Sequence, residues 1–177
     1  NTFLRAMGID VGRSLNEDNM LSTARQIISS ADDLGCELVL PSDVVIAHGL
    51  EEDVSHEVVQ IAGVPNDKMI LDIGPASVSG LIAKLSECRT LLWNGPLGAF
   101  EVPPFDKSTN DISHAVAKLT RKGVLASIAG GGDTVAALNQ AGVANDLTYI
   151  STAGGAFLEW LEGKELPGVV ALSRPAV

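Results

Sequence analysis

The sequence predicts an α/β fold, with a mostly parallel sheet covered by helices on both faces in a Rossmann-like three-layer arrangement. Two observations predict it. Short apolar runs alternate with segments of helical periodicity from residue 69 onward, and this alternation is typical of βαβ units, in which a helix connects two parallel strands. The last four apolar runs also end in loops that contain glycine, which is where ligands bind in parallel sheets.

The first part of the chain has a less regular pattern. Apolar side chains at helical spacing predict a helix over residues 18–34, which Gly35 ends. Strands are predicted from Glu37 to Leu40 and, after Pro41, from Val44 to Ala47. Residues 56–64 are rich in β-branched side chains between turn-forming segments, so a small β-hairpin arm is expected there.

The regular part of the chain contains four strand–helix pairs. The predicted strands cover residues 69–73, 90–93, 124–129 and 147–151, and the predicted helices cover residues 77–88, 107–121, 134–141 and 156–162. Each strand is short and rich in aliphatic residues, as strands buried on both faces are.

The composition excludes several classes of protein. The 177 residues are 46% hydrophobic and 19% charged, which is too apolar for a disordered chain. Lys and Arg number 12 against 22 Asp and Glu, a net charge of −10, so general nucleic-acid binding is not expected, because it needs clustered cations. No apolar run approaches the roughly 20 residues of a membrane span.

The expected compartment is the cytoplasm, since no signal peptide is recognised at the start of the chain. Cys36 and Cys88 are too few and too far apart for a disulfide framework or a zinc ribbon. The chain begins with Asn1 and has no initiator Met, so a piece of a longer protein is expected.

The glycine triplet after the third regular strand is the strongest local motif. Gly130, Gly131 and Gly132 let the backbone turn between strand and helix, so that amides at the positive end of the helix can bind a phosphate. Thr134 adds a hydroxyl, and Asp133 is a candidate ligand for Mg²⁺. The same residues also suit a plain tight turn in which Asp133 caps the helix, and both interpretations stay open.

The loop that follows the second regular strand is a second candidate. Asn94-Gly95-Pro96 is an ordinary turn signal behind a core tryptophan. In the functional interpretation, Pro96 and Ala99 offer apolar walls to a nucleotide base, and Glu101 accepts hydrogen bonds from ribose hydroxyls. The loops at 72–75 and 151–155 are better explained as turns or helix caps.

Several catalytic motifs are missing. The chain has no G-x-G-x-x-G after a strand, no G-x-x-x-x-G-K-[ST], and no second histidine to complete H-E-x-x-H after His56. His48, His56 and His114 have no metal-ligand spacing. A dinucleotide-binding Rossmann domain, a P-loop enzyme and a zinc protease are therefore disfavoured.

Seven motifs, in order along nearly the whole chain, resemble the C-terminal, nucleotide-binding half of phosphoglycerate kinase. They are Asn1-Thr2-Phe3-Leu4, Leu40-Pro41-x-Asp43, Asp72-Ile73-Gly74-Pro75, Trp93-Asn94-Gly95-Pro96-x-Gly98-x-Phe100-Glu101, Gly130-Gly131-Gly132-Asp133-Thr134, Ser151-Thr152 and Leu161-Glu162-Gly163-Lys164-x-Leu166-Pro167-Gly168. Residues 1–177 are accordingly expected to form most of that domain.

The resemblance implies a role for each site residue. That family transfers a phosphoryl group between 1,3-bisphosphoglycerate and ADP with Mg²⁺, as a monomer of two domains that close on a hinge. The implied adenine slot is formed by Leu4, Leu71, Pro96 and Ala99, the ribose is held by Glu101, and the implied phosphate and metal contacts are Asn94, Gly130, Gly131, Gly132, Asp133 and Thr134. Gly131, Gly132 and Thr134 would face the transferring phosphoryl group.

The chain departs from the family in two ways. Ala153 stands where the family commonly has the first glycine of a Ser-Thr-Gly-Gly-Gly segment near the hinge. The N-terminal domain, which binds phosphoglycerate and supplies an arginine, has no counterpart here, and the opening strands of the nucleotide domain with their lysine are absent, so the sheet is incomplete at its N-terminal side. The isolated chain is expected to be inactive. A non-catalytic nucleotide-binding or interaction module, or a purely structural domain, is the alternative.

Overall fold

A computed structural model describes residues 1–151 and 154–173 of the chain. Two compact units are present: the first comprises Asn1–Lys84 and Leu97–Ile112, and the second comprises the remaining described residues. Thr152 and Ala153, including the departure from the family pattern noted above, lie outside the described residues.

The elements alternate between helix and strand over most of the chain. The helices are α1 (Thr2–Ala6), α2 (Leu21–Asp33), α3 (Pro75–Glu87), α4 (Lys107–Arg121), α5 (Gly132–Gln140), α6 (Gly154–Leu161) and α7 (Pro167–Ser173). The strands are β1 (Asp43–Ala47), β2 (His56–Gln60), β3 (Met69–Ile73), β4 (Thr90–Asn94), β5 (Ala126–Gly130) and β6 (Tyr149–Ser151). None of the helices in the described ranges is both long and apolar enough to cross a membrane.

An antiparallel sheet with the strand order β2-β1-β3 lies in the first unit. Its central strand β1 carries Val44 and Ile46, which are 0% exposed and pack with Val64. Val45 lies opposite Val58 on one side and Asp72 on the other. The near-continuous apolar run of β1 explains its central place, because both of its faces and both of its edges are covered.

A parallel sheet with the order β4-β5-β6 lies in the second unit. Its register places Asn94 of β4 beside Gly130 of β5, and Gly130 beside Ser151 of β6. The carboxyl ends of all three strands are therefore level, so the loops that leave them start from one edge of the sheet.

The α/β class and the parallel pairing of β4–β6 are confirmed. Residues 56–64, where a small hairpin arm was expected, form the strand β2, which pairs antiparallel with β1, and a 3₁₀ turn at Ile61–Gly63. Two predictions about strands are wrong. Residues 37–40 have no regular structure, and Leu38 and Val39 are 39% and 48% exposed. The strand at 69–73 is correctly located, but it pairs antiparallel with β1 and does not extend the parallel series.

The helices follow the predicted periodicity closely. Helix α4 has the predicted bounds, and α3, α5 and α6 each begin two residues and end one residue before the predicted positions. The helix predicted at 18–34 begins as a 3₁₀ turn, Asp18–Met20, before α2. The short helices α1 and α7 were not predicted, because five to seven residues hold too few apolar positions to show a period.

The side chain of Asp43 fastens the start of α3 to β1. Asp43 is 2% exposed, and its carboxylate accepts hydrogen bonds from the amides of Ala76 (3.0 Å) and Ser77 (2.7 Å) and from the Ser77 hydroxyl (2.6 Å). Burial by itself would raise the pKa of Asp43, but these hydrogen bonds outweigh it and hold the pKa below its usual value. The ionised carboxylate therefore stabilises the folded state.

Replacing Asp43 by alanine is expected to lower the free energy of unfolding by about 2–3 kcal/mol, because two helix amides and a hydroxyl lose a charged acceptor. Urea denaturation measures this change. Because the folded-state pKa of Asp43 is lowered, the difference between the wild type and Asp43→Ala should be present above about pH 4 and shrink as the pH falls below it. The exposed Asp33→Ala variant is the control and should change stability by no more than about 0.5 kcal/mol. Equal effects of the two variants would contradict the capping role.

Candidate functional site

The turn between β5 and α5 requires glycine at its centre. Gly131 has φ +95° and ψ 140°, a conformation that L side chains rarely adopt. A Cβ atom at this position would also lie 2.9 Å from Oδ1 of Asn94. The turn thus brings together three of the predicted phosphate-site residues, Asn94, Gly130 and Gly131, at the carboxyl edge of the parallel sheet.

Thr134 connects this turn to the loop after β4. Its side chain is 1% exposed, and its Oγ1 accepts a hydrogen bond from the amide of Gly95 at 2.6 Å. Gly95 is held by a second hydrogen bond, which its carbonyl accepts from Nε1 of Trp93 at 2.7 Å. Thr134 therefore has a structural role that the sequence did not indicate, while its hydroxyl can still donate its own hydrogen.

The N-terminus of α5 has the properties of an anion site. The N-cap residue Gly131 has no side-chain capping hydrogen bond, and Gly132 and Asp133 are exposed. The first amides of a helix have no partner within the helix, and the helix dipole adds positive potential there. These groups suit the oxygens of a phosphate.

A magnesium ion is compatible with the same turn when phosphate supplies most of its ligands. Among the described residues no group of three His, Cys, Asp or Glu side chains could hold a metal by itself. One exposed carboxylate, Asp133, stands beside the anion site. Mg²⁺ commonly binds one or two carboxylates, several waters and substrate phosphates, so the donor set fits a metal that arrives with a nucleotide.

An apolar pocket of about 580 Å³ lies in the first unit. Three residues predicted for the adenine slot, Leu4, Leu71 and Ala99, line it together. Leu4 is 3% exposed and forms part of the packed wall. Pockets of this size with mostly apolar walls suit small organic ligands. The role of these three residues in an adenine slot stays a prediction.

The remaining predicted residues lie elsewhere. Glu101 is exposed in the turn that follows the pocket loop and is not part of the pocket lining. Pro96 belongs to the second unit, as do Asn94 and the glycine turn. The roles of Glu101 and Pro96 therefore stay predictions.

The pocket loop at residues 97–99 is held by its backbone. The amide of Ala99 donates to the carbonyl of Leu71 at 2.9 Å, and the amide of Leu97 donates to Oγ1 of Thr109 at 3.1 Å. A Cβ atom on Gly98 would lie 2.3 Å from Oδ1 of Asp72 and 2.4 Å from the carbonyl of Phe105. Only glycine permits this close approach.

Asp72 is a buried carboxylate beneath this loop that the sequence suggested only as a turn or cap residue. It is 2% exposed and accepts hydrogen bonds from the amide of Ile73 (2.9 Å), the amide of Ser108 (3.0 Å) and the Ser108 hydroxyl. Burial raises the pKa of Asp72 to about 6, with a small addition from Asp106, although the hydrogen bonds lower it. An acidic residue at the end of an apolar strand was the one available signal.

Comparisons with known proteins point to one family. The family model described as phosphoglycerate kinase matches residues 1–164. The chain is 57% identical over 172 residues to a phosphoglycerate kinase of Dinoroseobacter shibae, a match that covers 97% of this chain and 44% of the relative. It is 58% identical over 172 residues to a phosphoglycerate kinase of a Ruegeria species, covering 97% and 43%.

Solved structures agree with these relatives. The structure of phosphoglycerate kinase from Coxiella burnetii matches with a TM-score of 0.91 and 41% identity, over 97% of this chain and 44% of that one. The phosphoglycerate kinase from Pyrococcus horikoshii matches with a TM-score of 0.76 and 26% identity, over 97% and 42%.

The chain spans less than half the length of the curated relatives it matches. Within that span, the order of its motifs, the arrangement of its strands and its similarity to these proteins agree. The chain belongs to the phosphoglycerate kinase family.

Proposed function

We propose that residues 1–177 form most of the nucleotide-binding C-terminal domain of a phosphoglycerate kinase. The complete protein transfers a phosphoryl group reversibly between 1,3-bisphosphoglycerate and ADP, giving 3-phosphoglycerate and ATP, as a step of glycolysis. The observation that carries the proposal is the glycine turn at the level carboxyl ends of β4, β5 and β6, in a chain whose family match covers residues 1–164.

The first unit offers the base subsite. The aliphatic side chains of Leu4 and Leu71 and the small side chain of Ala99 line the apolar pocket, and adenine gains most from such flat apolar contacts. Glu101 follows two residues after Ala99, and its exposed carboxylate is proposed to accept hydrogen bonds from the ribose hydroxyls. Pro96 completes the set implied by the family.

The second unit offers the phosphate subsite. The amides of Gly131 and Gly132 at the start of α5 are proposed to donate to the transferring phosphoryl group, with Asn94 and Thr134 beside them. Phosphoryl transfer depends on positioning and on stabilising the charge of the equatorial oxygens, and preorganised amides do both. Mg²⁺ neutralises charge on the phosphate oxygens when it is bound, and Asp133 would hold it.

Several groups implied by the family have no counterpart among these 177 residues. They are the residues that bind phosphoglycerate, an arginine of the N-terminal domain and a lysine that contacts the nucleotide phosphates. A net charge of −10 opposes the approach of nucleotide phosphates, so amides, metal and the missing cations must together compensate. We further propose a cytoplasmic, monomeric protein.

The isolated chain is expected to show no phosphoryl transfer, because one substrate site is absent. A chimera can be made by joining to this chain the part of the Dinoroseobacter shibae relative that precedes the matched region. It should be active, since the two proteins are 57% identical over that region. A coupled assay of ATP formation tests both. Normal turnover by the isolated chain would refute the division of roles, and a folded but inactive chimera would refute the proposed function.

The variant Gly131→Val is expected to lower kcat of the chimera by about 100-fold or more, the range for losing preorganised amide donors. Valine at φ +95° is strained, and its Cβ would press on Asn94. Gly142→Val is the matched control, because Gly142 also has a positive φ, +73°, but no atom lies within 4 Å of its Cβ position. We expect the two variants to lose similar stability and only Gly131→Val to lose turnover. If the two variants have equal kcat values, Gly131 is not part of the site.

The variant Asp133→Asn is expected to weaken MgADP binding by about tenfold, because a carboxylate ligand of the metal is lost. Calorimetry measures this affinity. The control is ADP without metal, whose binding should be unchanged or slightly tighter, since the variant removes a negative charge. An equal loss with and without Mg²⁺ would show that Asp133 does not act through the metal.

A further inference from the structure

We propose that Asp72 is a positioning residue for the base subsite: its carboxylate joins the end of β3 to the start of α4, and so holds the 97–99 loop in the form that makes one wall of the apolar pocket. The proposal rests on the function proposed above. It concerns a residue that does not transfer the phosphoryl group itself.

Asp72 joins the end of β3 to the start of α4. Its oxygens accept the amide of Ile73 at the end of β3 and both the amide and the hydroxyl of Ser108 in the first turn of α4. Asp72 and Ser108 are each 2% exposed. A buried carboxylate that accepts charge-assisted hydrogen bonds from both elements fixes their distance.

The second step is the contact between this junction and the loop. Gly98 approaches Asp72 so closely that a Cβ atom would lie 2.3 Å from its Oδ1. Leu97 on one side is tied to Thr109 of α4 at 3.1 Å, and Ala99 on the other side is tied to Leu71 of β3 at 2.9 Å. The 97–99 loop is thus hydrogen-bonded at one end to α4 and at the other end to β3, the two elements that Asp72 connects.

The third step is the place of the junction relative to the pocket. Asp72 itself, Leu71 and all three residues of the loop are among the pocket lining. A shift of α4 relative to β3 would therefore displace Leu97, which is bonded to α4, from Ala99, which is bonded to β3, and so change this wall of the pocket. Small displacements of positioned groups have large effects on ligand binding and reaction.

The protonation state of Asp72 should make adenosine affinity depend on pH. Burial raises its pKa to about 6, so it is mainly ionised at neutral pH and accepts all three hydrogen bonds. Protonation removes the negative charge of Asp72, so the hydrogen bonds that it accepts from the amides of Ile73 and Ser108 weaken and the junction loosens. Adenosine affinity should therefore fall as the pH drops through about 6.

Other charged and titratable groups lie near Asp72 and must be considered when its pH dependence is measured. Asp106 raises its pKa, and Lys107 of α4 interacts with its charge. His56 of β2 and Asp111 of α4 line a smaller pocket of about 180 Å³ that also includes Asp72. On β1 the paired residue is the apolar Val45. Because the imidazole of His56 lines the same small pocket as Asp72, the pH dependence is also measured in a His56→Gln background as a control.

The test uses the full-length chimera and adenosine, a probe that fills the base subsite and does not titrate between about pH 5.5 and 8. For the isosteric variant Asp72→Asn, adenosine and MgADP affinities at neutral pH should each fall by about tenfold, while KM for phosphoglycerate stays within about twofold. The decrease in adenosine affinity below pH 6, present in the wild type and in His56→Gln, should disappear.

Two further variants keep the test decisive. Ser108→Ala removes one donor to Asp72 and should weaken adenosine binding by about threefold, which provides a result even if Asp72→Asn does not fold. Asp111→Asn is the matched control: it removes a carboxylate from α4 that pairs with Lys107 at 2.9 Å, and it should leave adenosine affinity within about twofold.

The outcomes separate the two proposals. If the wild type does not bind adenosine, the proposed function fails and this inference fails with it. If the wild type binds adenosine but Ser108→Ala and a folded Asp72→Asn bind it equally well, with the same pH dependence, the positioning role is wrong and the proposed function stands. A loss of affinity for phosphoglycerate as large as that for adenosine would also overturn it, because it would indicate a general structural defect.

Discussion

Buried carboxylates that satisfy the first amides of helices are the constraint on which the first unit depends. The amides at a helix N-terminus have no intrahelical acceptor, and leaving them buried without one is costly. Asp43 of β1 accepts the amides of α3, and Asp72 of β3 accepts the amide of Ser108 in α4. Each carboxylate thus makes a connection between a strand and a helix that apolar packing, which is not directional, cannot define alone.

In the second unit, the first amides of helix α5 have no buried carboxylate as an acceptor. Helix α5 begins after Gly131 without a side-chain cap, and its first residues are exposed. The one buried polar side chain in that turn, Thr134, accepts a hydrogen bond from the loop amide of Gly95. The first amides of α5 therefore have no side-chain cap, which is compatible with the proposed phosphate subsite.

The net negative charge of the chain is compatible with the proposed phosphate subsite, because the positive potential at a helix start is local. Amide dipoles at a helix start act over a few ångströms, and a divalent metal neutralises the ligand before it reaches the surface. The exposed ion pairs of the chain, such as Lys107–Asp111 and Arg121–Asp146, leave its excess of carboxylates unchanged. In the proposed function, a chain that spans 44% of its curated relative contributes helix amides to the phosphate subsite, and the cations implied by the family have no counterpart among its residues.

The sequence by itself determined the elements whose signal is local: the parallel strands β4–β6, the bounds of α4, the glycine turn at Gly130–Gly132 and membership of the family. Apolar periodicity and glycine backbone requirements are properties of adjacent residues, so they can be read from the chain. Only the tertiary structure decided that β3 pairs with β1, that residues 37–40 are not a strand, that Thr134 holds Gly95, and that Asp72 lies beneath the pocket loop. Each of these depends on partners from 22 to 39 positions away or on exposure to solvent. Neither is encoded in the local pattern, because pairing and burial are set by which surfaces the folded chain brings together.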